Sequence, residues 1–273
     1  MKVLTRQRTW TLTVAVALTA AIAFAQQKPF TPEVGQAGKD VVWVPTPEEM
    51  VQKMMEMAEV TPQDFVVDLG SGDGRNVIAA AKRGAQSLGV EYNPDMVALS
   101  KRLAAEAGVP DKAQFVQGDM YQAEFSKATV LALFLLPSNL LQLRSKFADL
   151  RPGTRIVSNT FAIQDWTPDK TETIVGDCTS WCTAMLYIVP AKVEGTWRLP
   201  QGELSLKQTF QTVVGTLTAA GKSTEVTGKL RGTQITWSSA GQEYSGVVRG
   251  NQIEGTTRNG SGSTSWVATR VAN

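Results

Sequence analysis

The stretch FVVDLGSGDGRNVIAAAKRG, residues 65 to 84, runs from an apolar segment through Gly70, Gly72 and Gly74 into a helical pattern. A glycine-rich turn between a strand and a helix brings main chain close to a ligand and points N–H groups at it. The dinucleotide fingerprint has the spacing G-x-G-x-x-G. Here the spacing is G-x-G-x-G, and Asp68 stands just ahead of the first glycine. A carboxylate at a strand end repels a pyrophosphate and suits a cation or a hydroxyl.

Outward from this turn, short apolar strands alternate with helical patterns. FVVDL is followed by a helix over 75–83 closed by Gly84, then by SLGVE. A helix over 95–107 closed by Gly108 leads to QFVQG; TVLALFLL, a helix over 138–149 and TRIVSNTF follow. Such alternation predicts an α/β, Rossmann-like, mostly parallel sheet with ligands at the carboxyl ends of its strands. Upstream, Val41–Val44 reads as extended, with Thr46 as N-cap and Pro47 at the first position of a helix over 47–59. Met50, Met54 and Met57 form one stripe of it, read as core. The stretch IQDWTPDKTETIVGDCTSW reads as loop, and AMLYIVP as one more strand.

Composition changes near Lys192. Period-2 segments rich in Thr, Val and Ser, broken by glycine turns, predict a small all-β meander of about seven or eight strands, a barrel or a sandwich. TGKLRGTQIT at 227 and SGVVRGNQIE at 245 repeat at an 18-residue offset, each with a tight turn between two strands. Trp197, Trp237 and Trp266 are read as its core. The expected domains are therefore 41–192 and 193–273.

Residues 1–25 carry three basic residues, an apolar run and Ala23-Phe24-Ala25, which fits a cleaved signal peptide, and 26–40 reads as a flexible leader. The expected location is the periplasm or outside the cell. Lys2, Arg6 and Arg8 precede the cleavage point, so the mature chain keeps 24 basic against 25 acidic side chains. That balance offers no electrostatic footprint for nucleic acid or for a stable membrane attachment. Cys178 and Cys182 could pair only on an irregular loop. With no histidine in the chain and two cysteines alone, a metal site is not expected.

VVDLGSGDGR resembles the first motif of the class I S-adenosylmethionine-dependent methyltransferases, and the resemblance extends over residues 41–190. GVEYNP ends the second strand with Glu91 and Tyr92, and VQGDM ends the third with Asp119 and Met120. The resemblance implies S-adenosyl-L-methionine as cofactor, Glu91 on the ribose hydroxyls, and Asp119 on the adenine amino group beside Met120. Closer similarity, through WVPTPEEMV, LGSGDGRNVIAAAKRGA and FLLPSNLLQLRSKFADLRPGTRIVSNTF, is to protein-lysine methyltransferases of the ATP synthase c-subunit type and their bacterial relatives. It implies that Pro45, Thr46 and Pro47 lie beside the methionine portion and that Leu136, Pro137 and Ser138 line the acceptor channel.

The cofactor set is thus Pro45, Thr46, Asp68, Gly70, Ser71, Gly72, Asp73, Gly74, Glu91, Tyr92, Asp119 and Met120, and the catalytic set is Pro137, Ser138 and Tyr121. Asp68, Asp73, Tyr121 or released water are the candidates for a base. The acceptor is a protein lysine or a small molecule, with the β domain supplying partner contact or self-association. The competing expectation is an exported, non-catalytic protein whose Rossmann-type pocket holds a nucleoside-like ligand.

Overall fold

A computed structural model describes residues 30–176, 178–259 and 262–271. The expected signal peptide, residues 1–25, and the first part of the expected leader lie outside the described residues.

The chain enters through α1 (Glu48–Met57) and then alternates: β1 (Phe65–Leu69), α2 (Arg75–Lys82), β2 (Gln86–Glu91), α3 (Pro94–Glu106), β3 (Ala113–Gln117), β4 (Val130–Leu133), α4 (Pro137–Ala148) and β5 (Arg155–Asn159). These five strands are parallel. Two more, β6 (Lys170–Thr173) and β7 (Thr183–Ile188), complete a seven-stranded sheet in the order β3-β2-β1-β4-β5-β7-β6. In it β7 runs antiparallel to β5, and β6 antiparallel to β7. Strand order reverses between β1 and β4, so the crevice at their carboxyl ends is the place where this topology holds a ligand.

Both faces of the sheet are covered, as its nearly continuous apolar strands require. Val67, Leu69, Leu131 and Leu133 pack with Leu140, Leu143 and Phe147 of α4 on one side. On the other side Val66, Val130 and Ala132 meet Met50, Met54 and Met57, so the methionine stripe is core. The helix starts one residue later than the capping pattern suggests: Pro47 is the N-cap, with no side-chain cap bond. Thr46 is buried instead, and its carbonyl accepts from Arg75.

The C-terminal segment is a closed eight-stranded barrel: β8 (Gly195–Leu199), β9 (Gly202–Thr209), β10 (Thr212–Ala219), β11 (Lys222–Arg231), β12 (Gln234–Ser239), β13 (Gln242–Arg249), β14 (Gln252–Asn259) and β15 (Gly262–Arg270), with β15 pairing back onto β8. Closure removes the sheet edges that an open meander would leave. The sequence repeat is two matching hairpins: Arg231 pairs with Gln234 and Arg249 with Gln252, and Gly232 and Gly250 each turn at φ +60°. Trp197, Trp237 and Trp266 are buried inside it. Tyr244 stacks on Trp237 at 3.5 Å between ring centroids, and Trp266 meets both edge-on.

The barrel is packed onto the sheet domain. The Phe210 ring, on the β9–β10 turn, stacks on buried Trp166 at 4.7 Å, and the Arg144 guanidinium lies 5.8 Å from the centre of the same Phe210 ring. Gln211 donates to the Thr167 carbonyl at 2.5 Å, and the Ala191 N–H donates to the Gly232 carbonyl at 2.8 Å. Truncating Phe210 removes the largest apolar piece of this joint. Phe210→Ala is expected to cost about 2–4 kcal/mol and to split thermal unfolding into two calorimetric transitions; a single transition at unchanged temperature contradicts the coupling.

Candidate active site

β1 delivers Asp68 to the carboxyl edge of the sheet, and the chain then turns sharply. Gly70, Gly72 and Gly74 take φ +71°, +56° and +82°, a region that side chains disfavour. Close approach is a second reason for glycine. A Cβ on Gly72 would lie 2.7 Å from Nε1 of Trp43, and one on Gly74 would lie 2.6 Å from the Phe115 ring.

The end of β2 fixes the turn. Glu91 accepts from the Gly72 N–H through Oε2 and from the Asn93 N–H through Oε1, each at 2.9 Å. Its carboxylate therefore ties the glycine loop to the start of α3 and still offers lone pairs to the cleft.

Two adjoining compartments open here and share Trp43, Val44, Gly70, Gly72 and Phe134. The larger is lined by Glu91, Tyr92, Asp119 and Met120. The smaller is lined by Pro45, Thr46, Asp68, Ser71, Asp73 and Asn76. Eleven of the twelve expected cofactor residues thus line one space. Gly74 lies behind the loop, where its lack of a side chain admits Phe115 and Ser100.

Pro137, Ser138 and Tyr121 line neither compartment. Pro137 and Ser138 are exposed in the first turn of α4. Tyr121 packs against the sheet's core, and its hydroxyl accepts from Asn139 Nδ2 at 2.7 Å. That bond and that packing hold it away from the glycine loop.

Charge in the cleft is compensated unevenly. Arg75 grips both oxygens of Asp73, at 2.9 and 2.5 Å, and reaches the Thr46 carbonyl, so it fastens the segment before α1 to the loop. Asp119 accepts from the Tyr121 N–H at 2.9 Å and from Lys39 Nζ at 2.6 Å. The Lys39 hydrogen bond, with the backbone N–H of Tyr121, holds the Asp119 carboxyl below the usual range.

Asp68 is different: 3% exposed, it has one side-chain donor, Asn76 Nδ2 at 3.1 Å. Burial pushes its carboxyl well above the usual carboxylate range; Asn76 opposes this, while nearby Glu91 and Asp73 add to it. Beside it, Ser71 Oγ and Asn76 Oδ1 are buried with no partner among the described residues. A buried carboxylate beside an unpartnered hydroxyl and an unpartnered amide oxygen is a setting into which an ammonium fits.

Sequence reading missed Lys39, Trp43, Asn76 and Phe134. Gly35 and Trp43 make backbone bonds across residues 35–43, the N–H of Gly35 donating to the Trp43 carbonyl and that of Trp43 to the Gln36 carbonyl. The end of the supposed flexible leader is therefore a closed loop laid along the cleft, with Lys39 also 5.2 Å from the centre of the Tyr92 ring. Asn76 was legible in principle, because it sits eight residues after Asp68 in the first turn of α2.

The fold and this cleft define a class I S-adenosylmethionine-dependent methyltransferase. Residues 68–170 match the ANTKMT methyltransferase domain family. The chain is 39% identical over 152 residues to a protein-lysine N-methyltransferase of Saccharolobus islandicus, covering 94% of that protein and 55% of this one. It is 35% identical over 128 residues to the human lysine N-methyltransferase of the ATP synthase c-subunit, covering 54% of that protein, so it spans about half its length, and 46% of this one. An RNA methyltransferase from Salinibacter ruber, solved with S-adenosyl-L-homocysteine, superimposes with a TM-score of 0.52 at 43% identity, covering 96% of that chain and 55% of this one. The chain belongs to this methyltransferase family; the family match ends before the barrel begins.

Two outcomes test this charge distribution. A raised native pKa means that the folded protein holds the Asp68 proton more tightly than the unfolded chain, whose carboxyl titrates near about 3.9. Its contribution is favourable in acid and is lost as pH rises through the raised native value. Asp68→Asn should therefore raise the neutral-pH melting temperature, by about 2–8 °C for ~1–2 kcal/mol, lose the gain in acid, and abolish calorimetric binding of S-adenosylhomocysteine. Lys39→Ala removes the competitor for Asp119 and should tighten that binding by up to about fivefold; weaker binding would show that Lys39 holds the ligand instead.

Proposed function

We propose that the protein transfers a methyl group from S-adenosylmethionine to the ε-amino group of a lysine in a protein acceptor. The observation that carries the reading is the clustering of Asp68, Glu91 and Asp119 at the ends of three adjacent parallel strands around one cleft. The names of the relatives support lysine as the acceptor, and the near-balanced charge gives no broad footprint for RNA.

In this reading Glu91 takes the ribose hydroxyls, and Asp119 takes the adenine amino group once Lys39 yields, with Tyr92 and Met120 beside the base. Asp68 and the free Asn76 oxygen take the α-ammonium of the methionine portion, leaving Arg75 near its carboxylate. The bound group supplies an electrophilic methyl on a sulfonium. The chain's task is alignment: it holds an acceptor amine in line with the S–CH3 bond at near-attack distance. The N–CH3 bond forms as that bond breaks, the sulfur leaves with the electron pair, and the acceptor's proton passes to solvent. A lysine must reach the site deprotonated, from a reference pKa of about 10.4, and a dry channel beside the cationic sulfonium favours that. Pro137 and Ser138, exposed beside the cleft at the start of α4, suit contact with the acceptor chain better than contact with the reacting atoms.

Export is part of the same proposal. It is supported by the basic-then-apolar pattern of residues 1–25 and by the pairing of Cys178 with Cys182.

Envelope extract incubated with the mature protein and tritiated S-adenosylmethionine should carry label that resists nuclease, yields to protease and appears as methylated lysine after acid hydrolysis. Asp68→Ala should give none. Nuclease-sensitive label would place the acceptor among nucleic acids and overturn the lysine reading.

A further inference from the structure

Beside the cleft, and reaching into it through Phe134, stands a group of aromatic side chains to which cofactor binding assigns no polar contact. Phe134 follows β4, Phe161 follows β5, and Trp181 precedes β7, so three neighbouring strands of the sheet bring the rings to the edge where the cleft opens. Their centroids form a near-equilateral triangle: 5.6 Å from Phe134 to Trp181, 5.9 Å from Phe161 to Trp181, and 6.3 Å from Phe134 to Phe161. Phe134 lines both compartments of the cleft, including the one that contains Asp68. Core aromatic residues are covered, yet Trp181 remains 38% exposed and the two phenylalanines are only partly buried.

Something holds Trp181 in this position. It takes a left-handed φ of +61°, and the disulfide between Cys178 and Cys182 closes the short loop that carries it. A bulky side chain on a backbone conformation that it disfavours persists where the surroundings fix it, and such residues cluster at ligand sites.

We propose that Phe134, Phe161 and Trp181 form an aromatic seat for the ammonium head of the acceptor lysine and of its methylated products. The proposal rests on the lysine reading above and specifies how that acceptor is recognised. A cation resting on the exposed Trp181 ring, at the open side of this contact group, falls within the ~6 Å at which a ring face attracts it. Methylation enlarges and disperses the charge without removing it, so the seat accepts mono-, di- and trimethyl-lysine, while each transfer still requires the amine to give up its proton before it attacks. A neutral side chain of the same shape gains the apolar contact but not the attraction to the ring faces. The disulfide acts here through Trp181, which makes Cys178 and Cys182 positioning residues rather than catalytic ones.

The test compares two short glycine-flanked peptides by calorimetry on protein saturated with S-adenosylhomocysteine. One carries trimethyl-lysine; the other carries its neutral isostere, in which carbon replaces the quaternary nitrogen. Wild-type protein should prefer the cation by about threefold to thirtyfold. Trp181→Phe should keep part of the preference, whereas Trp181→Ala and the double variant Cys178→Ser, Cys182→Ser should lose most of it. Affinity for S-adenosylhomocysteine should stay within about twofold throughout, which reports that each variant is folded and its cofactor cleft intact. Equal affinity for the two peptides, binding of neither, or a preference that survives in Trp181→Ala overturns the seat. Failure of the wild-type protein to bind S-adenosylhomocysteine would instead overturn the cofactor reading, and the peptide comparison, run without it, would still decide the seat.

Discussion

A carboxylate buried at the end of a central strand must be neutralised by a proton or a partner, and Asp68 has one amide donor and two acidic neighbours. The elements around it make sense as a setting for that charge. The strand-order reversal opens the crevice, the glycine turn lets backbone and the Trp43 ring come close, and Glu91 fixes the turn from the next strand. Each other acid in the cleft has a partner: Arg75 for Asp73, Lys39 for both Asp119 and Asp40, and two backbone N–H groups for Glu91. The uneven compensation marks where a cationic group belongs, because a buried, under-solvated carboxylate gains most from an ammonium delivered to it.

The barrel poses a separate problem. No described residue of it lines either compartment. Its Phe210 and Gln211 instead grip Trp166 and Thr167, on the segment that leads from β5 toward β6. The same region of sheet carries Phe161 and the Trp181 loop, so the barrel braces the side of the molecule that holds the proposed acceptor seat.

The sheet was legible because its signals are local. FVVDL is bounded by a proline-containing turn and the glycine loop, and its strand limits follow from those breakers. The barrel was legible from period-2 alternation and from the repeated Arg-Gly turn. What escaped depended on distance or on weak patterning. β6 is four residues, KTET, mostly exposed on an edge, with no apolar alternation to betray it. The loop over residues 35–43 is held to Asp119 by Lys39 across 80 positions of sequence, a contact that no local pattern encodes. Tyr121 follows Asp119 closely in sequence, yet the chain turns between them, so its ring joins the core while Asp119 faces the cleft. Whether the cysteines pair was open in the sequence, because a four-residue separation permits a bridge only on irregular backbone, which the approach to β7 provides.

The most direct measurement is proton exchange on binding S-adenosylhomocysteine, obtained by calorimetry in buffers of different ionisation enthalpy over a pH series that starts in the ordinary carboxylate range and runs upward. If Asp68 receives the ligand's ammonium, binding lowers its raised pKa, and protons are released wherever the unliganded carboxyl still holds its proton. Replacing Asp68 with asparagine should eliminate the release along with tight binding. Tight binding without proton release in the wild-type protein, or equal release from the asparagine variant, would contradict the account.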